Sequence, residues 1–328
     1  MNVEQDKLYF FTDHVPLAIC GDCLNILPLL PDGCVDMVLC DPPYNITCNT
    51  WDRPIPFEDY IVVGERKVTF TDLNRALWDP RRRHWARMDK DLQELLNNPM
   101  GEVVAYWNDH KQPGLWSNYK RILKPRGVIA LFGVGMFSAE LMNTGKDLWR
   151  YNIIWQKKHP TGFLNANKMP LRSHEDILIF YRKLPVYHPQ KSTGHPPVHS
   201  YIKHTSDGSN YGKTKLEIAG GGSTERYPTS VWCFGSDTQR SSNHSTQKPV
   251  ALCEELIKTY TNEGAVVLDN CAGSFTTAVA CDNQNRGWIA IEKEPPIFEA
   301  GVERVNENRK RIGLTPLDEE LIIPKGQW

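Results

Sequence analysis

The chain has 328 residues, of which 40% are hydrophobic and 23% charged, and its formal net charge is −1 at pH 7. That balance excludes a disordered chain and a generic polycation, so any positive potential for nucleic acid must be local. No apolar run reaches the roughly 20 residues of a membrane span and no basic-then-apolar leader opens the chain. A cytoplasmic protein of one large α/β domain with an insertion, or of two modest ones, is therefore expected.

A strand over 16–20 and a helical segment over 24–30 are predicted first. Val35-Asp36-Met37-Val38-Leu39-Cys40 then reads as a buried parallel strand, with Asp41-Pro42-Pro43-Tyr44-Asn45 at its carboxyl end. Ligands bind at that edge of open α/β sheets. Two prolines fix the backbone and remove two N–H donors, which frees carbonyls to face a ligand. An acceptor carboxylate, rigid carbonyls and an aromatic face suit a flat heterocycle that carries an exocyclic amine. Asp-Pro-Pro alone is also a common turn, and Tyr44 alone a common packing residue.

The stretch over about 61–104 reads as an irregular insertion, with a helix over 89–96. Arg81-Arg82-Arg83-His84-Trp85-Ala86-Arg87 is the densest basic patch, and it reads equally as a solvated surface or a phosphate contact. A helix over 116–123, a strand over 127–133, a helix over 137–142 and strands over 151–155 and 177–181 follow. From 183 to 238 periodicity fails, and His, Ser, Gly, Pro, Lys and Tyr dominate a loop-rich segment. Regular order returns with a helix over 250–260, a strand over 265–269, a helix over 276–283, a strand over 288–291 and a helix over 296–310. The expected division is thus 1–182, 183–238 and 239–328, the first and last parts being halves of one domain.

Nine cysteines are present, and Cys20-Gly21-Asp22-Cys23 has a metal-ligand spacing. No second close pair follows and the count is odd, so neither a metal site nor a full disulfide framework is expected.

A second constellation lies near the far end of the chain. Asp269 ends a predicted strand, Gly273-Ser274 occupies the turn before a helix, and Glu292 ends the next strand about 20 residues on. Backbone approaches a ligand at such a turn, and such an acid accepts hydrogen bonds from ribose hydroxyls. There is no G-x-G-x-x-G and no Gly-Lys-Ser/Thr. That disfavours dinucleotides and triphosphates and leaves S-adenosylmethionine, an adenosine without phosphates, as the candidate. Upstream, His244-Ser245-Thr246-Gln247-Lys248-Pro249 brings hydroxyl, amide and ammonium groups to a helix start, suited to an amino-acid head group. Thr246 as cap and Pro249 in the first turn would equally make an ordinary helix start.

Taken together these motifs resemble the β group of DNA amino-methyltransferases, especially phage and prophage adenine methylases. That group places an Asp-Pro-Pro-Tyr region first, then a target-recognition region, then the cofactor motifs. Residues 19–24 are similar to the short motif before the catalytic strand, whose acid, here Asp22, lies near the cofactor adenine. Residues 244–249 resemble His-Pro-Thr-Gln-Lys-Pro, and 268–277 resemble Leu-Asp-Pro-Phe-x-Gly-Ser-Gly-Thr-Thr. Arg172-Ser173-His174-Glu175-Asp176 and residues 225–230 are also similar to phage members. Asn270 and Cys271 depart from the pattern, and Phe275 stands where a second glycine is usual, either narrowing the cofactor cleft or packing beside it.

The resemblance implies a Rossmann-like, S-adenosylmethionine-dependent sheet with permuted motif order, mostly parallel with one reversed strand, and an inserted target-recognition region. It implies Asp41, Pro42, Pro43 and Tyr44 as catalytic residues. Asp22, Thr246, Gln247, Lys248, Asp269, Gly273, Ser274 and Glu292 would hold the cofactor. Lys191, Lys203, Lys213 and Lys215 are candidates for phosphate contacts on double-stranded DNA. A homodimer and a cognate restriction endonuclease are partners that occur in such systems. The Asp-led motif favours the N6 amine of adenine over the N4 amine of cytosine. RNA adenine methylation and a catalytically weak DNA-binding protein are the other readings.

Overall fold

The computed structural model describes residues 15–44, 52, 54–78, 90–203, 218–235 and 247–327. Its strands are β1 (Leu17–Cys20), β2 (Val35–Cys40), β3 (Tyr60–Val63), β4 (Arg66–Thr69), β5 (Leu123–Gly133), β6 (Trp149–Thr161), β7 (Arg172–Phe180), β8 (Tyr201–Lys203), β9 (Ile218–Gly220), β10 (Val231–Phe234), β11 (Val266–Asp269), β12 (Gly287–Glu292) and β13 (Ile322–Ile323). Nine of them form one sheet in the order β10-β6-β7-β5-β2-β11-β12-β1-β13. Within it β7 alone runs against its neighbours, as the resemblance implied.

The helices are α1 (Cys23–Ile26), α2 (Phe70–Trp78), α3 (Lys90–Asn97), α4 (Met100–His110), α5 (Leu115–Ile122), α6 (Met136–Thr144), α7 (Val250–Tyr260), α8 (Thr276–Asn283) and α9 (Pro295–Ile312). Side chains alternate along β2 between the two faces of the sheet. Met37 and Leu39 pack with Leu252 and Leu256 of α7 and Phe298 of α9. Val38 and Cys40 pack with Leu24, with Ile26, and with Trp116, Tyr119 and Ile122 of α5. Burial on both faces is why this strand reads as a continuous apolar run.

Of the stretch expected to form an irregular insertion over 61–104, the described residues 61–78 and 90–104 form regular elements instead. The β3–β4 hairpin and α2, α3 and α4 enclose their own small core, which includes Ile61, Val68, Leu73, Leu92, Val103 and Trp107. The hairpin turns at Gly64, whose φ of 59° lies in the left-handed region that glycine adopts without strain. The basic patch over 81–87 lies outside the described residues. The loop-rich segment also differs from expectation, because β10 leaves it to pair in parallel with β6 as an edge of the main sheet. Earlier in that segment β8 and β9 form a separate antiparallel ribbon.

Strand order sets the position of the site. The chain leaves β2 for β5 on one side and β11 for β12 on the other, while β2 and β11 lie side by side. Their carboxyl ends therefore flank a topological switch point, where open sheets form a crevice.

Candidate active site

A cavity of about 540 Å³ opens at those carboxyl ends. Asp41, Pro42, Pro43 and Tyr44 line it, together with Asp22, Gln247, Lys248, Asp269, Gly273, Ser274 and Glu292. Thus two motif sets more than 200 residues apart in sequence meet in one place. Thr246, Lys213 and Lys215 lie outside the described residues, as does the side chain of Lys203, whose backbone is in β8. Lys191 is not part of the cavity wall. Its ammonium lies 2.9 Å from Glu225 and over the ring of Tyr227.

Asp41 follows β2 directly, and both of its oxygens are engaged. Tyr44 donates its hydroxyl to Oδ1 at 2.5 Å, and Lys248 Nζ stands 2.5 Å from Oδ2. Lys248 also lies 3.4 Å from Glu175 Oε2, and Lys157 lies 2.6 Å from Glu175 Oε1. The result is a row of alternating charge, Asp41, Lys248, Glu175, Lys157, along the cavity wall. Burial pushes the Glu175 carboxyl up, but the ammonium groups of Lys248 and Lys157 outweigh it and hold the carboxyl below its ordinary range. Burial likewise disfavours the charge on Lys248, and Asp41 and Glu175 overcome it, so this ammonium is held more firmly than usual. Among the described residues, Glu175 Oε2 accepts no hydrogen bond.

Sequence reasoning gave Glu175 no role and did not single out Lys157. A signal was present in the strand alternation. Ile177 and Ile179 of β7 and Ile153 and Trp155 of β6 face one core, and the same alternation continues outward to Glu175 and Lys157.

Acceptors dominate the other half of the cavity. Glu292 Oε2 accepts from the Gly273 N–H at 2.8 Å, and Oε1 accepts from the Glu294 N–H at 2.9 Å. Each oxygen keeps a lone pair for a further donor. Asp22 caps α1 by accepting from the Leu24 N–H at 3.1 Å, and it faces the ammonium groups of Lys293 and Lys67 at 3.1 and 3.7 Å. Gln247 is buried, and among the described residues its Oε1 has no partner. Such an orphaned acceptor awaits a donor.

Asp269 has a different task. Its two oxygens accept from the Cys271 N–H at 3.1 Å and the Thr277 hydroxyl at 2.6 Å, clamping the turn that carries Gly273 and Ser274. Burial pushes its carboxyl up to about 7 despite those two hydrogen bonds. Phe275 is not in the cavity wall. It is fully buried against Trp288 and Phe298, with ring centroids 6.5 and 5.8 Å away, so it packs beside the cleft and does not narrow it. Asn270 is buried and accepts the Tyr119 hydroxyl at 2.7 Å, tying the same turn to α5.

Comparison with known proteins bears on this arrangement. The N6/N4 family model described as DNA methylase matches residues 35–303, well over half of the chain. The chain is 25% identical over 309 residues to the type II methyltransferase M.HpaI of Haemophilus parainfluenzae, covering 92% of this chain and 77% of that protein. To the type II methyltransferase M.BglII of Bacillus subtilis it is 26% identical over 291 residues, covering 87% and 67%. Among solved structures, it is similar to the cytosine-N4-specific PvuII DNA methyltransferase, with a TM-score of 0.49 at 13% identity, covering 91% of this chain and 96% of that one. It is also similar to the M1.HpyAVI–SAM complex, with a TM-score of 0.47 at 19% identity, covering 88% and 98%.

Proposed function

We propose, from the premise that this chain belongs to the DNA methylase family and takes its methyl group from S-adenosylmethionine, that it methylates the exocyclic N6 amine of adenine in double-stranded DNA. One observation carries the reading: Asp41 heads Asp-Pro-Pro-Tyr at the switch point, in the same cavity as the acceptors Glu292 and Gln247.

When bound, S-adenosylmethionine supplies an electrophilic methyl group on a sulfonium. The acceptors present suit it: Glu292 would accept from the ribose hydroxyls, and the orphaned Gln247 oxygen would accept from a donor of the amino-acid end. Backbone at Gly273 and Ser274 forms the adjoining wall.

Adenine's amine is a poor nucleophile because its lone pair is delocalised into the ring. Asp41, with a carbonyl of Pro42 or Pro43, accepts its N–H groups and favours a more tetrahedral nitrogen with a directed lone pair. Each Asp41 oxygen already accepts from the protein and keeps one acceptor position for this task. Positive charge that grows on the nitrogen is stabilised by the same carboxylate. Lys248 opposes that charge while it stands against Asp41, and Glu175 Oε2, 3.4 Å away, gives the ammonium a second carboxylate to lean on. Extruding the base from a duplex costs a few kcal/mol. Stacking on Tyr44 returns about 1–3 kcal/mol. Lys191, Lys203, Lys213 and Lys215 remain the proposed phosphate contacts, although Lys191 must first leave Glu225.

The test is transfer of labelled methyl to unmethylated duplex DNA, with modified nucleosides identified by mass spectrometry. N6-methyladenine is expected, and Asp41→Ala should lower its formation by about 100-fold or more, with a lowered melting temperature because Lys248 loses its nearer carboxylate and keeps only Glu175. N4-methylcytosine would overturn the base assignment and keep the chemistry. No product on DNA, or normal turnover by Asp41→Ala, would overturn the reading.

A further inference from the structure

The hairpin that joins β6 to β7 has a tip unlike the rest of the surface. Every residue from 158 to 170 is exposed. Leu164 is 99% exposed and Phe163 80%, at a 3-10 turn (Phe163–Asn165), and Met169 nearby is 59% exposed. Bare apolar side chains on a short turn gain from a partner the burial that they lack. The same stretch is one-signed. Residues 157–172 hold four Lys or Arg and no Asp or Glu, in a chain whose net charge is −1. Its root belongs to the catalytic cleft, because His159, Thr161 and Arg172 line the cavity that holds Asp41.

We propose that this hairpin tip is a wedge that enters the duplex beside the target base, with Phe163 and Leu164 filling the space that the extruded base leaves. The inference rests on the DNA methylase reading above and goes beyond it, because it assigns the opening of the stack to a segment outside 183–238. Apolar side chains inserted between base steps partly unstack them. Lys158 and Lys168 flank the tip and face the phosphates on either side. The β6–β7 pair carries the tip and also lends Trp155, Lys157 and Glu175 to the wall of the receiving pocket, so insertion and capture are the same docking event.

The experiment uses the whole protein with Phe163→Ser and Leu164→Ser combined, exposed positions at which the melting curve of the variant should match that of wild type. Substrates are synthetic duplexes built on the sites that the wild-type protein methylates, mapped by sequencing, with the target base either paired or mispaired. The double variant should lose about tenfold or more in kcat/KM on the paired duplex and stay within about threefold of wild type on the mispaired one, where opening costs least. Equal rates on the paired duplex would overturn the wedge, as would an equal loss on both duplexes, which would mark a general DNA contact. A change in sedimentation from dimer to monomer with methylation intact would overturn it too and give the patch to a second copy of the chain. Absence of methyl transfer by the wild type is a separate result that removes the DNA methylase reading itself.

Discussion

Lys248 is the residue on which the site's electrostatics turn. A buried ammonium needs a carboxylate, and here it has two, one at 2.5 Å and one at 3.4 Å. Removing one partner of a buried ion pair costs about 3–5 kcal/mol, because the other charge is left uncompensated. Glu175→Gln should therefore lower the melting temperature markedly near neutral pH. Its pH dependence follows from the direction of the shift. The folded carboxyl lies below its ordinary value near 4.5, so its stabilisation is present above that pH and is lost as pH falls through the depressed folded value. The gap in stability between wild type and Glu175→Gln should thus close on acidification, as measured by denaturant unfolding between neutral and acid pH. A gap that widens would mean that the carboxylate does not hold the lysines.

At the scale of the element, the start of α8 shows how a departure from a motif is accommodated. Phe275 adopts φ 58°, a left-handed conformation that costs a non-glycine residue roughly 1–2 kcal/mol. What offsets this cost is burial of the whole ring, and burial is made room for by Gly301 in α9. A Cβ at 301 would stand 2.1 Å from Phe275 Cδ2. Phe275→Ala should cost about 3–5 kcal/mol in chemical unfolding. Gly301→Ala should also destabilise, and combining it with Phe275→Ala should cost less than the sum, since the clash disappears. Strict additivity would show that the two do not share a space. That pairing was not legible in the sequence, where Phe275 stands out but its partner is an ordinary glycine on another element. The β3–β4 hairpin was missed for a related reason: Ile61-Val62-Val63 and Val68 are too short a pattern beside charged residues, and only Gly64 hinted at the turn. Strands buried on both faces, such as β2 and β11, were legible because their residues are apolar apart from one acid near an end, Asp36 and Asp269. The Lys157–Glu175 pair was not, because register between β6 and β7 is a tertiary fact.

For the whole molecule, the switch point brings two groups of residues to one shared wall, and in the proposed roles one activates the amine and the other holds the cofactor. Asp41 belongs to the strand that leads toward β5, Glu292 to the strand that pairs with β1. Cofactor binding and amine activation should be separable by mutation. A ligand at 100 times its Kd stabilises a fold by about 2.7 kcal/mol. Asp41→Ala should keep the thermal shift that S-adenosylmethionine produces, and Glu292→Gln should lose most of it. The reverse pattern in thermal-shift titrations would exchange the assigned roles. Both ends of this division were readable as motifs, and their meeting was readable only through the resemblance, since nothing local in Asp41 or Glu292 states which strands are neighbours.

β1 illustrates what that arrangement asks of a growing polypeptide. Among the described residues its sheet partners are β12 and β13, so Leu17–Cys20 waits for a strand to pair with until about 270 further residues have been made. At roughly 5–20 residues per second, the wait on the ribosome is on the order of tens of seconds. Through that interval the first strand is an open edge, Asp22 beside it lacks Lys293, and the sheet closes only when the later-made strands slide in next to its first.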